Sequence, residues 1–103
     1  MKFKEGVDST RITPELIIAL VIADFVWKSH GQDLVITSLN DSKHSRTSLH
    51  YSGQAADLRS RYFTAEEKRS VATDLEAALG HSHDYDVVVE NDHIHLEWQP
   101  KGS

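Results

Sequence analysis

Apolar positions along the chain follow two patterns, one typical of helices and one typical of strands. The most apolar stretch, residues 16–23, lies in a segment that begins with a helix-capping threonine, Thr13, and with Pro14 at the first helical position. Gly31 is a typical residue for the helix end. The sequence therefore predicts a buried helix over residues 13–30. Its apolar run is interrupted by Asp24 and is too short for a membrane span, which needs about 18 residues.

A second helix is predicted over residues 64–79. Thr64 and Glu67 form the pattern of a capping box, and Gly80 ends the segment. Its apolar residues repeat at helical spacing and are expected to form one buried stripe: Val71, Leu75, Ala78 and Leu79.

Four short runs are typical of strands: residues 34–39, 55–58, 85–90 and 93–98. The polar residues 40–47 are predicted to form a loop, and Asn91-Asp92 to form the two-residue turn of a hairpin. This order of elements predicts a single α+β domain over residues 1–103, with a small antiparallel sheet and both helices packed on one face.

Composition narrows the possible functions. The chain has 103 residues, no cysteine and a formal net charge of −5, so neither a nucleic acid nor an anionic membrane is an expected partner. A disulfide framework and a thiolate zinc site are excluded. Residues 1–10 lack the apolar core of a secretory signal, so we expect synthesis in the cytoplasm.

Two separated segments carry candidate metal ligands. His50 and Asp57 are seven positions apart with Gly53 between them, and we expect this glycine to let the chain fold back so that both side chains reach one ion. His93 and His95 alternate along a predicted strand, so they point to the same face. This pair could therefore supply the third ligand of an ion that His50 and Asp57 share.

Residues 48–57, Ser-Leu-His-Tyr-Ser-Gly-Gln-Ala-Ala-Asp, resemble the S-x-H-x-x-G-x-A-x-D signature of the LAS metallopeptidases, named for lysostaphin, D-alanyl-D-alanine peptidases and sonic hedgehog. His93-Ile-His95 resembles the second motif of that group, and the similar region spans about residues 34–98. The resemblance implies a hedgehog/D-Ala-D-Ala-peptidase-like fold. It also implies that His50, Asp57 and His95 bind zinc.

The same resemblance suggests roles for neighbouring residues. Asp92 stands three positions before His95, where the peptidases of the group carry the acidic residue that serves as general base. Glu90 is the alternative base, and an ordinary turn aspartate is the alternative for Asp92. His93 is expected to donate a hydrogen bond to the oxyanion. Candidate substrate-binding residues are Ser48, Arg46 and His44.

The sequence thus predicts a zinc-dependent peptidase that cleaves peptidoglycan stem peptides. Two bond types stay open, D-alanyl-D-alanine and L-alanyl-D-glutamate. So do two settings, a phage lysis or tail enzyme with access to the cell wall and a bacterial cytoplasmic dipeptidase. A different class of function is a non-catalytic, hedgehog-like zinc module that binds a partner protein.

Overall fold

The computed structural model describes residues 1–42 and 53–100. Within these residues, five strands and two helices follow one another as β1 (Lys2–Phe3), α1 (Pro14–Ser29), β2 (Val35–Ser42), β3 (Gly53–Arg59), α2 (Ala65–Ala78), β4 (Tyr85–Val89) and β5 (His93–Trp98). The strands form one sheet in the order β1-β2-β3-β5-β4. The α+β class is therefore confirmed.

The sheet is mixed, so the prediction of an antiparallel sheet was wrong in one respect. β1 pairs with β2 in parallel, whereas the other neighbouring strands are antiparallel. A strand of two residues, Lys2 and Phe3, has no hydrophobic periodicity of its own. Its structure comes from pairing with β2, including the hydrogen bond from Lys2 N to Leu34 O at 2.8 Å.

The capping signals in the sequence correctly predicted where both helices begin and end. Thr13 caps α1 through a hydrogen bond from Leu16 N to Thr13 Oγ1 at 3.2 Å, and the chain leaves the helix at Gly31 with a φ of 80°. The capping box of α2 is present as predicted. The hairpin turn is also confirmed, because Glu90 N donates to His93 O across Asn91-Asp92 at 2.9 Å.

Burial of the helices differs from the prediction. α1 buries one face, including Leu16, Leu20 and Trp27, but Phe25 on its other side is 79% exposed. Helix α1 is thus buried on one side only, because the sheet covers that side of the helix. In α2, Ala72 is buried and Ala78 is exposed.

The core lies between the helices and the inner face of the sheet. It contains Leu20 and Trp27 of α1, Leu75 of α2, and Leu58 and Ile94 of the central strands, all fully buried. Because side chains alternate along a strand, burial of Leu58 and Ile94 turns Asp57, His93 and His95 to the outer face. Core packing therefore decides which residues can form a site.

The connection between β2 and β3 differs from the prediction at both ends. β2 continues to Ser42, so residues 40–42 belong to a strand and not to a loop. Gly53 is the first residue of β3 and pairs with Ser42, two positions earlier than the predicted start of this strand. Residues 53–57 therefore belong to one strand, and the predicted fold-back toward His50 includes residues 50–52, which lie outside the described residues. In the described parts of the chain, no helix is long and apolar enough to cross a membrane.

Candidate metal centre on the outer face of the sheet

Asp57 and His95 lie opposite each other on the neighbouring central strands β3 and β5. Asp57 Oδ1 is 3.0 Å from His95 Nδ1 and 3.5 Å from His93 Nε2. Side chains on adjacent strands can meet in this way where they share a face and lie directly or diagonally opposite each other. The structure thus brings together three of the predicted site residues, Asp57, His93 and His95.

The other oxygen of Asp57 has a separate partner. Ser38 Oγ donates a hydrogen bond to Asp57 Oδ2 at 2.8 Å. Ser38 reaches Asp57 because the register of β2 shifts between Ile36 and Ser38, so that Thr37 is an extra residue in the strand. Ser38 was missed from the sequence, since simple alternation gives no sign of this bulge.

Glu97 was also missed. It follows His95 by two residues on the same face of β5, and its Oε1 lies 3.0 Å from His95 Nε2. The imidazole of His95 thus has a carboxylate at each nitrogen. Partial burial alone would lower the pKa of His95, but hydrogen bonds to Glu97 and Asp57 outweigh it and raise the pKa. An acidic residue at position i+2 of an H-x-H strand was the available signal.

Asp92, the predicted base, lies on the turn before β5. Its Oδ1 is 2.8 Å from His93 Nδ1, and this contact lowers the pKa of the Asp92 carboxyl. The backbone of the turn is held in two places, by Ser60 N donating to Asp92 O at 3.1 Å and by the Lys68 amine donating to Asn91 O. Asp92 therefore joins the site through His93, at the exposed edge of the centre.

Two concave surfaces adjoin the histidines. A groove of about 350 Å³ beside His93 is lined by Lys4, Thr37, Arg59, Arg61, Asp92 and His93, and it is mainly cationic. A hollow of about 500 Å³ beside His95 includes three carboxylates, those of Glu76, Asp86 and Glu97. A chain with a net charge of −5 thus collects positive charge on one side of the site. That groove suits an anionic group of a ligand.

The other predicted site residues lie outside the described residues. They are His44, Arg46, Ser48 and His50, all within the segment 43–52. Within residues 1–42 and 53–100, no group of three or more histidine or acidic side chains is arranged to hold a metal. The described part of the centre comprises two of the three predicted ligands, Asp57 and His95. Their roles stay a prediction.

The geometry of this pair fits zinc. Two ligand atoms at about 2.0–2.1 Å from a tetrahedral zinc are roughly 3.3 Å apart, close to the 3.0 Å between Asp57 Oδ1 and His95 Nδ1. Both atoms are the oxygen and nitrogen donors that zinc accepts.

No protein-family model, no curated protein and no solved structure matches this chain. Function is therefore inferred from the site and from the motifs that form it.

Proposed function

We propose that this protein is a zinc-dependent peptidase that cleaves peptidoglycan stem peptides, with a site like that of the LAS metallopeptidases. The observation that carries the proposal is the 3.0 Å approach of Asp57 Oδ1 to His95 Nδ1. These two residues come from separate motifs, and they are opposite each other in the sheet. His50, Asp57 and His95 would hold the metal.

Zinc in such a site supplies Lewis-acid polarisation of a peptide carbonyl and makes water more acidic. The chain's own residues would supply the rest. Asp92 would accept a proton from the attacking water. Its contact with His93 lowers the pKa of the carboxyl, so Asp92 is ionised but is a weaker base than an isolated aspartate. His93, whose Nε2 faces Asp57, donates a hydrogen bond to the oxyanion that develops on the substrate.

The cationic groove supports a substrate that has a carboxylate near the scissile bond. Arg59 lies opposite His93 in the β3–β5 ladder. It follows Asp57 by two residues in β3, so the two side chains are on the same face of the sheet. Its guanidinium can bind a carboxylate with two parallel hydrogen bonds. Both candidate bonds are followed by a residue with a free α-carboxylate, terminal D-alanine in one and D-glutamate linked through its side chain in the other. Arg59 would therefore serve either substrate.

The proposal is tested by metal content and by cleavage. We expect about one zinc per chain, absent from His95→Ala and retained by His83→Ala, since His83 is exposed and is not one of the proposed ligands. The zinc-loaded chain should release fragments from purified peptidoglycan, and their masses identify the bond that is cut. No zinc in the wild-type chain after zinc loading would refute the metal site.

Zinc retention without cleavage of any wall peptide would favour the other function, a non-catalytic zinc module. The side chain of Asp92 is 77% exposed. A base that is so exposed to solvent gains little catalytic advantage from its surroundings, and this observation favours testing the non-catalytic function. Cleavage that requires both zinc and His95 would exclude the non-catalytic function.

A further inference from the structure

Glu97 is an acidic side chain that is almost completely buried. It is 8% exposed, although it lies on the polar outer face of β5. Burying a carboxylate is costly unless hydrogen bonds or opposite charges compensate it. The contact between Glu97 Oε1 and His95 Nε2 at 3.0 Å provides such compensation. The burial of Glu97 is thus linked to one particular state of His95.

That state follows from the inventory of donors and acceptors. A carboxylate only accepts hydrogen bonds, so the short contact requires a proton on His95 Nε2. In a neutral imidazole the other nitrogen, Nδ1, then carries the lone pair. His95 Nδ1 is the atom that faces Asp57 Oδ1. The same rule places a proton on Nδ1 while no metal is bound, because Asp57 Oδ1 also only accepts. A metal would take the place of that proton, and Glu97 would hold the remaining proton on Nε2, so that Nδ1 is the nitrogen left for the metal.

We propose that Glu97 is a positioning residue that fixes the orientation and tautomer of His95 for metal binding through Nδ1. This inference rests on the proposed zinc site. A carboxylate behind a metal-binding histidine holds the ring and makes its nitrogen a stronger ligand. Removing such a partner typically weakens metal binding by about 10–100-fold.

Glu97→Gln is the informative change, since it preserves size and removes the negative charge. Its amide can also donate a hydrogen bond to Nε2, which would place the proton of His95 on Nδ1 and block the metal-binding lone pair. We expect zinc affinity, measured by competition with a chromogenic chelator, to fall by about 10–100-fold. Glu97→Asp keeps the charge and should recover part of the affinity.

Asp86→Asn is the matched control. Asp86 pairs with Glu97 across the β4–β5 ladder and lines the same hollow, so both variants remove one negative charge from the same area. A loss of affinity in Glu97→Gln but not in Asp86→Asn indicates a specific effect on His95. Equal losses would mean that Glu97 acts only through net charge, and would overturn the proposal. Thermal melting of the metal-free chains checks that each variant folds.

Nitrogen chemical shifts of the zinc-loaded chain provide a second readout. We expect the His95 ring to bind zinc through Nδ1 and to keep a proton on Nε2. Coordination through Nε2, or unchanged zinc affinity in Glu97→Gln, would overturn the role of Glu97 while leaving the zinc site in place. A wild-type chain that binds no zinc would overturn both proposals together.

Discussion

Asp57 has two carboxylate oxygens with different partners. Oδ2 accepts the hydroxyl hydrogen of Ser38 at 2.8 Å, while Oδ1 faces the two histidines of β5. One oxygen is thereby held in place and the other is directed at the centre. Such support matters because ligand side chains must be fixed within fractions of an ångström for efficient chemistry.

The role of Asp92 is tested by Asp92→Asn. Asparagine has nearly the same shape but cannot accept a proton from water, so turnover should fall by about 10²–10⁴-fold. Zinc content should not change, because Asp92 contacts His93 and is not one of the proposed ligands. Peptidase assays and elemental analysis of the same preparations provide both measurements.

Glu90→Gln is the matched control for Asp92. Glu90 lies beside the same turn, with its backbone paired to His93, and was the alternative base. Loss of activity in Glu90→Gln but not in Asp92→Asn would transfer the role to Glu90. Activity retained in both variants would remove an acidic base from the turn altogether.

At the scale of single residues, the motifs predicted Asp57, His93 and His95 but not their supporting side chains. Ser38 depends on a bulge in another strand, and such irregularities arise from tertiary packing rather than from periodicity. Glu97 could be seen in the sequence, yet its burial could not. Both supporting side chains depend on contacts across the sheet, and the local sequence does not specify which residues are paired there.

Among the elements, the helices were the easiest to predict since their end signals are local. Thr64 and Glu67 of α2 satisfy each other's backbone groups, through Thr64 N to Glu67 Oε1 at 2.9 Å and Glu67 N to Thr64 Oγ1 at 3.1 Å. The two-residue β1 and the full length of β3 were not predicted. Their backbone groups are paired with distant parts of the chain, so the local pattern underestimates them.

The capping box predicts a pH-dependent contribution to stability. The backbone hydrogen bond from Thr64 lowers the pKa of Glu67 below its ordinary value, which is about 4.3. Because the folded-state pKa is depressed, this contribution is fully present above about pH 4.3 and is lost as the pH falls through the folded-state pKa. Glu67→Gln should therefore destabilise the chain more at pH 7 than at pH 3.

Urea unfolding midpoints at the two pH values measure this difference. Glu66→Gln removes a negative charge from the same helical turn and controls for interaction with the helix dipole. A gap between wild type and Glu67→Gln that is equally large at pH 7 and pH 3 would show that ionisation of Glu67 is irrelevant to the cap.

For the molecule as a whole, the proposed zinc site should add stability. Its ligands come from separate segments, so the ion binds the folded chain far better than the unfolded chain. At a free zinc concentration 100 times the Kd, the gain is about 2.7 kcal/mol. With about 4–8 °C per kcal/mol in a domain of this size, a chelator should lower the Tm by roughly 10–20 °C.

Thermal scans with and without chelator measure this effect. His95→Ala provides the control, because a chain lacking the ligand should melt at the same temperature under both conditions. If chelator leaves the wild-type Tm unchanged, any bound zinc does not contribute to the stability of the folded chain.

The strand order has a consequence for how the protein folds. β5 is the last strand in sequence but lies between β3 and β4 in the sheet. Until residues 93–98 insert, β3 and β4 each lack a neighbour, Asp57 lacks its histidines, and Leu58 lacks its contact with Ile94. Closing these long-range pairs is slow compared with forming the helices. Assembly of the site and completion of the sheet are therefore one event, so a partly folded chain cannot carry the complete centre.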